Sequence, residues 1–541
     1  MHQKNLHYLL LYLVHHNCNN EMNLGYDFIT EYIHSITRYL YKNQNVLLKD
    51  EIMRLSNEAF MAHQLANDSK AARAIALSSS RFKLSNENKK YLKIIQDNER
   101  NITNLEEQLS NALLDNLDNR DLNNLKNIKK DITNLKIDND IYIEMIREKN
   151  PQFSNFSNPV ALNTDDVMDK INPNQMIVSY HLGKDRITVF VIMNDEFYFF
   201  DNPISLLDLE DMITDYRENF GIYTDLDSFD YDMAHNLFKI LFPFPEEFFL
   251  NVEELTIIPS GPLLSLPFAT LITNNYNNTL QNASWLIKKF PISYLPSINS
   301  INFFKNNNGI NKKYNSFIGF GDPILANYSQ DNITRGAFYD IMLAEKFDSL
   351  PETRIELEEI ANNLNIDPSK SLFLGEAASE SIVKVLDLSN TDIIMFATHG
   401  VISGELANLY EPGLILTPPE QVSENDDGIL TASEIMNLSL NAEWVLLSAC
   451  NTASGEDTNS DGLSGLAKSF FYAGAKSLLV SQWYVESNAT VELTTGIFRA
   501  MSNDITLNKS SALRVSIIEL INSEEYAHPL YWAPFILVGQ N

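Results

Sequence analysis

The sequence predicts an all-α N-terminal region, of the helical-repeat or hairpin kind, followed by an α/β domain whose mostly parallel sheet is flanked by helices. Three observations carry this. Apolar residues before residue 150 recur at intervals of three, four and seven, which is helical spacing. Between residues 176 and 201 the pattern changes to short apolar or alternating runs broken by turns. After Leu255, short apolar strands alternate with helical stretches, as strand–helix–strand units do.

Taken in order, residues 1–83 read as helices. Leu24, Phe28, Tyr32, Ile36 and Tyr39 form one stripe. Ala59, Ala62, Ala66, Ala71, Ala74 and Leu77 form another, in which small side chains let helices approach closely. The run Leu6 to Val14 reads as a buried first helix rather than a targeting segment, because only Lys4 precedes it and no small-residue cleavage site follows. It is far short of the ~20 residues that a membrane span needs. Residues 84–150 read as a long helical hairpin. Leu92, Ile95, Ile102, Leu105, Leu109 and Leu113 line one arm, and Leu122, Leu125, Ile128, Ile132 and Leu135 the other, with a turn at 115–119. A structural spacer and a partner-docking arm both fit that pattern.

Residues 151–250 read as an Asn-, Ser- and Pro-rich linker leading into antiparallel strands at 176–181, 186–193 and 196–201, which flank a sheet. Residues 251–541 supply the alternating part. Its strands are expected at 255–258, 317–320, 372–374, 392–398, 414–416, 444–449, 477–482 and 535–538. Helices are expected at 355–364, 380–386, 463–472 and 489–501.

Composition narrows the function. A net charge of -31 on 541 residues repels a phosphate backbone, so no direct nucleic acid partner is expected. Proteins or basic peptides suit it better, and no membrane partner is expected. Cys18 and Cys450 are the only cysteines, too few for a disulfide framework, which points to a reducing cytoplasm. Gly319-Phe-Gly321 follows a strand, but Asp322-Pro323 comes next in place of a third glycine, so it is not read as a nucleotide loop. His15, His16 and Cys18 lack a second ligand pair for a metal. No cofactor is expected.

Two strands end in reactive side chains. One runs from Asp392 to Thr398 and is followed by His399-Gly400; the other runs from Trp444 to Ala449 and is followed by Cys450-Asn451-Thr452. Sites in α/β sheets form beyond the carboxyl ends of strands. Parallel neighbours would therefore aim His399 and Cys450 into one crevice. Their separation of 51 residues suits a strand–connection–strand unit and matches the His-before-Cys order of caspases. An imidazole beside a thiol raises its thiolate fraction or takes its proton during attack. The amides of Gly400 and Cys450 are placed to hold the oxyanion. The pattern points to a Cys–His hydrolase, against the plain alternative of a buried cysteine and a turn histidine.

From about residue 250 onward the chain resembles the CHAT domain, a branch of the caspase–separase peptidase clan often found behind tetratricopeptide repeats. The matching blocks are Phe396-Ala-Thr-His399-Gly400, Leu447-Ser448-Ala449-Cys450-Asn451-Thr452, Gly462-Leu-Ser-Gly465, Phe471-Tyr-Ala-Gly474-Ala475, Ser481-Gln482-Trp483 and the closing stretch from His528 to Phe535. The resemblance implies a caspase-like sheet at 251–541, a pseudo-caspase-like half at 151–250 and a tetratricopeptide-like region at 1–83. It implies His399 and Cys450 as the catalytic dyad of a cysteine endopeptidase, with Trp483, Ser448, Glu486 and Asp461 around the substrate pocket. Where family members often carry Val-Asp-Asp, this chain has Val485-Glu486-Ser487. Glu486 is then either the acid that selects a basic substrate side chain or a helix-terminal residue. By the same analogy the substrate is a protein, such as a gasdermin-like effector in antiviral defence or programmed cell death. A protein activator would dock on the helical N-terminus. A catalytically silent scaffold is the competing reading.

Overall fold

The computed structural model describes residues 22–43, 45–66, 122–149, 161–193, 196–221, 224–274, 279–302, 314–325, 347–401, 412–419, 426–448, 465–484 and 486–541, with scattered residues between 90 and 109. The run at 6–14, His15, His16, Cys18, Cys450 and Asp461 therefore lie outside the described residues.

The chain opens on helices α1 (Met22–Asn43) and α2 (Lys49–Ala66). The buried stripe of α1 is Ile29, Ile33, Ile36 and Leu40, whereas Phe28 and Tyr39 are exposed. The expected stripe of α1 is thus rotated toward the neighbouring face. Both stripes have helical period, and the choice is made by an aromatic and aliphatic sheet surface, Ile177, Phe190 and Ile192, on which the isoleucines pack. Ala59, Phe60 and Ala62 of α2 join the same core. Next comes α3 (Leu122–Lys149), which pairs with the described helical residues between 90 and 109. Tyr91 stacks on Tyr142 at 5.7 Å, Asn98 donates to Asn139 at 2.8 Å, and Ile102 packs with Ile128 and Ile132. Rising numbers on one arm meet falling numbers on the other, the geometry of an antiparallel hairpin.

Strands β1 (Gln175–Leu182), β2 (Ile187–Met193) and β3 (Glu196–Asn202) form an antiparallel meander. Helices α4 (Leu206–Arg217) and α5 (Tyr231–Leu241) follow, then β4 (Glu254–Ile258) and β5 (Ile292–Tyr294). Alternate residues of β1 serve different cores. Met176, Val178 and Tyr180 face the main core, and Ile177 faces α1 and α2.

The remaining strands of the large sheet are β6 (Phe317–Gly321), β7 (Leu372–Leu374), β8 (Ile393–Ala397), β12 (Trp444–Ser448), β13 (Ser477–Ser481) and β14 (Phe535–Gly539). Its eleven strands run in the order β3-β2-β1-β4-β5-β14-β13-β12-β8-β6-β7. Every pairing is parallel except β1–β2, β2–β3 and β13–β14. The expected strand at 414–416 belongs elsewhere: β9 (Gly400–Val401), β10 (Gly413–Ile415) and β11 (Ile429–Thr431) make a separate antiparallel sheet beyond the end of β8.

Helices α6 (Glu352–Asn363), α7 (Gly465–Ala473), α8 (Ser487–Asn503) and α9 (Lys509–Asn522) complete the C-terminal half. Phe320 and Phe396 stack at 5.1 Å, and Phe396 meets Phe470 of α7. On the opposite face Trp444 packs on Phe498 of α8. The Gly319-Phe-Gly321 motif now has a reason. A Cβ at either glycine would stand 2.7 Å from a methyl of Leu357, so the glycines let α6 lie directly on β6.

Candidate active site

β8 and β12 are adjacent and parallel, with Ala397 opposite Ser448. His399 stands two residues beyond Ala397, and in the sequence Cys450 stands two residues beyond Ser448. A cleft of about 480 Å³, part of it open to solvent, lies at these carboxyl ends. The end of β8 contributes Thr398 and His399, and β12 contributes Ser448. Beyond β13 come Trp483 and Tyr484. Thr353 and Glu356 of α6, with Glu352 at its first turn, form one wall, and Ser487, Thr490 and Val491 of α8 form another.

The His399 ring is fixed from outside the cleft. Its Nε2 lies 2.8 Å from the Asp348 carbonyl, and Phe347 packs on the ring at 5.1 Å. A carbonyl only accepts, so Nε2 carries the proton in this bond and the Nδ1 lone pair is left to act as base. Residue 398 anchors the same turn, its hydroxyl donating to the Ile415 carbonyl. Ile415 N–H donates to the His399 carbonyl at 2.9 Å. This makes Gly400 and Leu414 a non-hydrogen-bonded pair of the β9–β10 ladder, which leaves the Gly400 amide outside it.

Trp483 is held from behind. Its ring stacks on Phe220 at 4.7 Å, the Arg217 guanidinium sits 5.4 Å from its centroid, and its Nε1 donates to the Leu530 carbonyl at 3.1 Å. One wall of the cleft is therefore tied to the preceding half of the sheet. Glu486 is placed differently from the pocket role considered for it. It is exposed and does not line the cleft; its carboxylate caps α8, accepting the Ala489 amide at 2.8 Å and the Asn488 side chain at 2.8 Å.

Glu356 is the group that the motif reading did not single out. Its side chain is fully buried. It accepts from Thr494 Oγ1 at 2.6 Å and from Ser448 Oγ at 3.2 Å. Burial pushes its carboxyl up to about 7, against the opposing pull of the Thr494 and Ser448 hydrogen bonds. Thr353, Glu356, Leu357, Ile360 and Ala361 form the buried stripe of α6. That spacing is visible in the sequence and places Glu356 on the inward face.

Glu352 and Glu356 are the charged side chains, histidine apart, among the described lining residues. No group of three or more His, Cys, Asp or Glu among the described residues is arranged to hold a metal. Among the described residues no helix is long and apolar enough to cross a membrane.

Comparison with known proteins agrees in location. The family model described as the CHAT domain matches residues 232–540. The human Tetratricopeptide repeat protein 28 is 24% identical over 329 residues, covering 53% of this chain and 12% of that protein. The mouse protein of the same name is 23% identical with the same coverage. The chain thus spans about an eighth of the length of these curated relatives. Among solved structures, the Saccharomyces cerevisiae separase–securin complex is similar at 11% identity and a TM-score of 0.39, over 82% of this chain and 38% of that one. The Arg-specific cysteine proteinase gingipain R is similar at 9% identity and a TM-score of 0.32, over 62% of this chain and 74% of that one.

Proposed function

This chain belongs to the CHAT domain family, and from that premise we propose that it is a cysteine endopeptidase with Cys450 as nucleophile and His399 as general base. One observation carries the reading. β8 and β12 are parallel neighbours in register at Ala397 and Ser448, so the sequence sets His399 and Cys450 equally far beyond paired positions.

In this mechanism Cys450 Sγ attacks the scissile carbonyl carbon while its proton passes to His399 Nδ1. The Asp348 carbonyl, bound to Nε2–H, steadies the imidazolium so formed. Backbone amides of Gly400 and Cys450 receive the charge on the carbonyl oxygen. The C–N bond breaks as His399 returns the proton to the leaving amine, which leaves a thioester. Water, deprotonated by the same imidazole, then releases the acid and restores the thiol.

Among the described lining residues there are carboxyls but no lysine or arginine, which favours a cationic peptide side chain over an anionic one. Glu352, half-buried at the mouth, supports a basic preference better than Glu486 does. The partner side of the reading is a protein substrate, with an activator docking on the N-terminal helices. Incubating the full chain and its Cys450→Ala variant with an internally quenched peptide library tests it. Cleavage confined to the unsubstituted chain and enriched for lysine or arginine is expected. Equal turnover by both proteins would remove Cys450 from the chemistry, and binding without any cleavage would favour a scaffold.

A further inference from the structure

Glu356 lies in the cleft, yet the reaction just described gives it no task. It is an ionisable group buried on the inner face of α6, and no lysine or arginine among the described residues pairs with it. Three elements meet at its carboxyl. Ser448 belongs to β12, Thr494 to α8 and Glu356 itself to α6. Thr494 has one hydroxyl proton and also lies 3.0 Å from the Thr490 carbonyl. As a carboxylate, Glu356 competes with the Thr490 carbonyl for that one proton; once protonated it can donate to Thr494 Oγ1 instead and leave the Thr494 proton to Thr490 O. The helix that holds Glu356 is itself pinned to the sheet. Gly319 and Gly321 allow close contact with Leu357, the Asp322 amide donates to Thr353 Oγ1 at 2.8 Å, and Arg354 grips the Asp322 carboxylate at 2.7 Å and 2.9 Å.

We infer that Glu356 is a positioning residue: its carboxyl clasps β12 through Ser448, two residues before Cys450, to α8 through Thr494, and so sets where Cys450 is presented to His399. The inference rests on the peptidase reading. Among the described residues the titratable groups that share the cleft are Glu352, one turn earlier on α6, His399 after β8 and Tyr484 after β13. Ionisation of Glu356 adds a negative charge to the cleft and opposes formation of the Cys450 thiolate.

A Cys18→Ser chain leaves Cys450 as the sole thiol, so iodoacetamide alkylation reports on that residue without any knowledge of the natural substrate. The rate is followed from pH 5.5 to 8.5 beside cleavage of the quenched peptide library. Glu356→Gln keeps the shape and can still accept and donate; it should retain cleavage within about threefold at pH 6. Glu356→Ala should lose about tenfold or more. The ratio of the Gln variant's alkylation rate to the parent's should rise about threefold across the range, because only the parent acquires the neighbouring charge. Ser448→Ala and Thr494→Val each remove one arm of the clasp and should reproduce part of the Ala loss, which keeps the test decisive if the Ala variant does not fold. Parent-like behaviour in all four variants overturns the inference. Equal losses in Gln and Ala with a flat ratio also overturn it, because Glu356 is then only a polar member of the core. A parent chain that cuts nothing but shows the rising ratio sinks the peptidase reading and leaves the clasp at Cys450 standing.

Discussion

Two histidines at the carboxyl ends of strands in this sheet have opposite fates. His181, near the end of β1, is fully buried beneath α1 and α2. Its Nε2 meets Thr30 Oγ1 at 3.1 Å, its Nδ1 lies 3.4 Å from that of His63, and the His34 ring stands edge-on at 5.9 Å. His63 in turn meets Ser179 Oγ at 2.7 Å. Burial, reinforced by His63 and His34, holds His181 well below the usual histidine range, and burial takes His63 down to about 3. His399, beyond the end of β8, is only half-buried and lines an open cleft. The residue type and its place on a strand are alike. What lies above the strand end decides whether the imidazole becomes core or a candidate base. One half of the sheet also buries a cluster of histidines and the other buries Glu356, and their pH responses have opposite signs.

The widest gap between the halves is in activity. His399→Ala should lower kcat/KM on the quenched library about 10³-fold or more, since it removes the general base. His181→Gln should alter stability and leave the cleft chemistry near the parent level. A large activity loss from His181→Gln, measured on protein shown to be folded, would break the comparison.

Next comes Glu356. Its folded carboxyl is raised from the usual range to about 7, so the folded chain binds the proton more tightly than the unfolded chain. Stability is then full below about pH 4.5 and is lost as pH rises through about 7, to a total of about 3 kcal/mol. Glu356→Gln should abolish that loss, as read by urea midpoints in the C-terminal half between pH 5 and pH 8. The histidine cluster runs the other way. His63 is depressed to about 3, so the unfolded chain takes the proton first as pH falls. Its contribution is full above about pH 6.5 and falls by about 2 kcal/mol at pH 5. His63→Gln should flatten that acid limb. The smallest effect expected is at Glu486. Removing its cap on α8 by Glu486→Ala should cost about 1 kcal/mol of stability and leave the preference for basic peptides unchanged. A lost preference would return Glu486 to the pocket.

Much of this arrangement was legible because strand ends and short apolar runs are local signals. The segments around 393–397 and 444–448 are runs of four to five buried residues, followed in the sequence by His399-Gly400 and Cys450-Asn451. Elements that depend on partners were harder to read. β5 and β11 have three residues each and β9 only two, too few for a period to show. Leu414 and Ile415 look like core strand but pair with the end of the histidine segment, because their hydrogen bonds go to His399 and to β11. The α1 stripe could be drawn on either of two faces until Phe190 and Ile192 selected one. Glu356 sits among Glu352, Glu358 and Glu359, and composition does not mark which carboxylate is buried. Only its spacing from Thr353, Leu357 and Ile360 does so. At 483–487 the motif placed an acid beside the tryptophan, and local capping geometry claimed that acid for the helix.

The pairing of His399 with Cys450 is tested most directly by intact-mass and peptide-level mass spectrometry after treatment with a peptidyl fluoromethyl ketone carrying a basic side chain. The expected result is one adduct per chain, on Cys450 and not on Cys18, forming at least about 100-fold more slowly in His399→Ala. Labelling of Cys18 and Cys450 at equal rates, indifferent to His399, would contradict it.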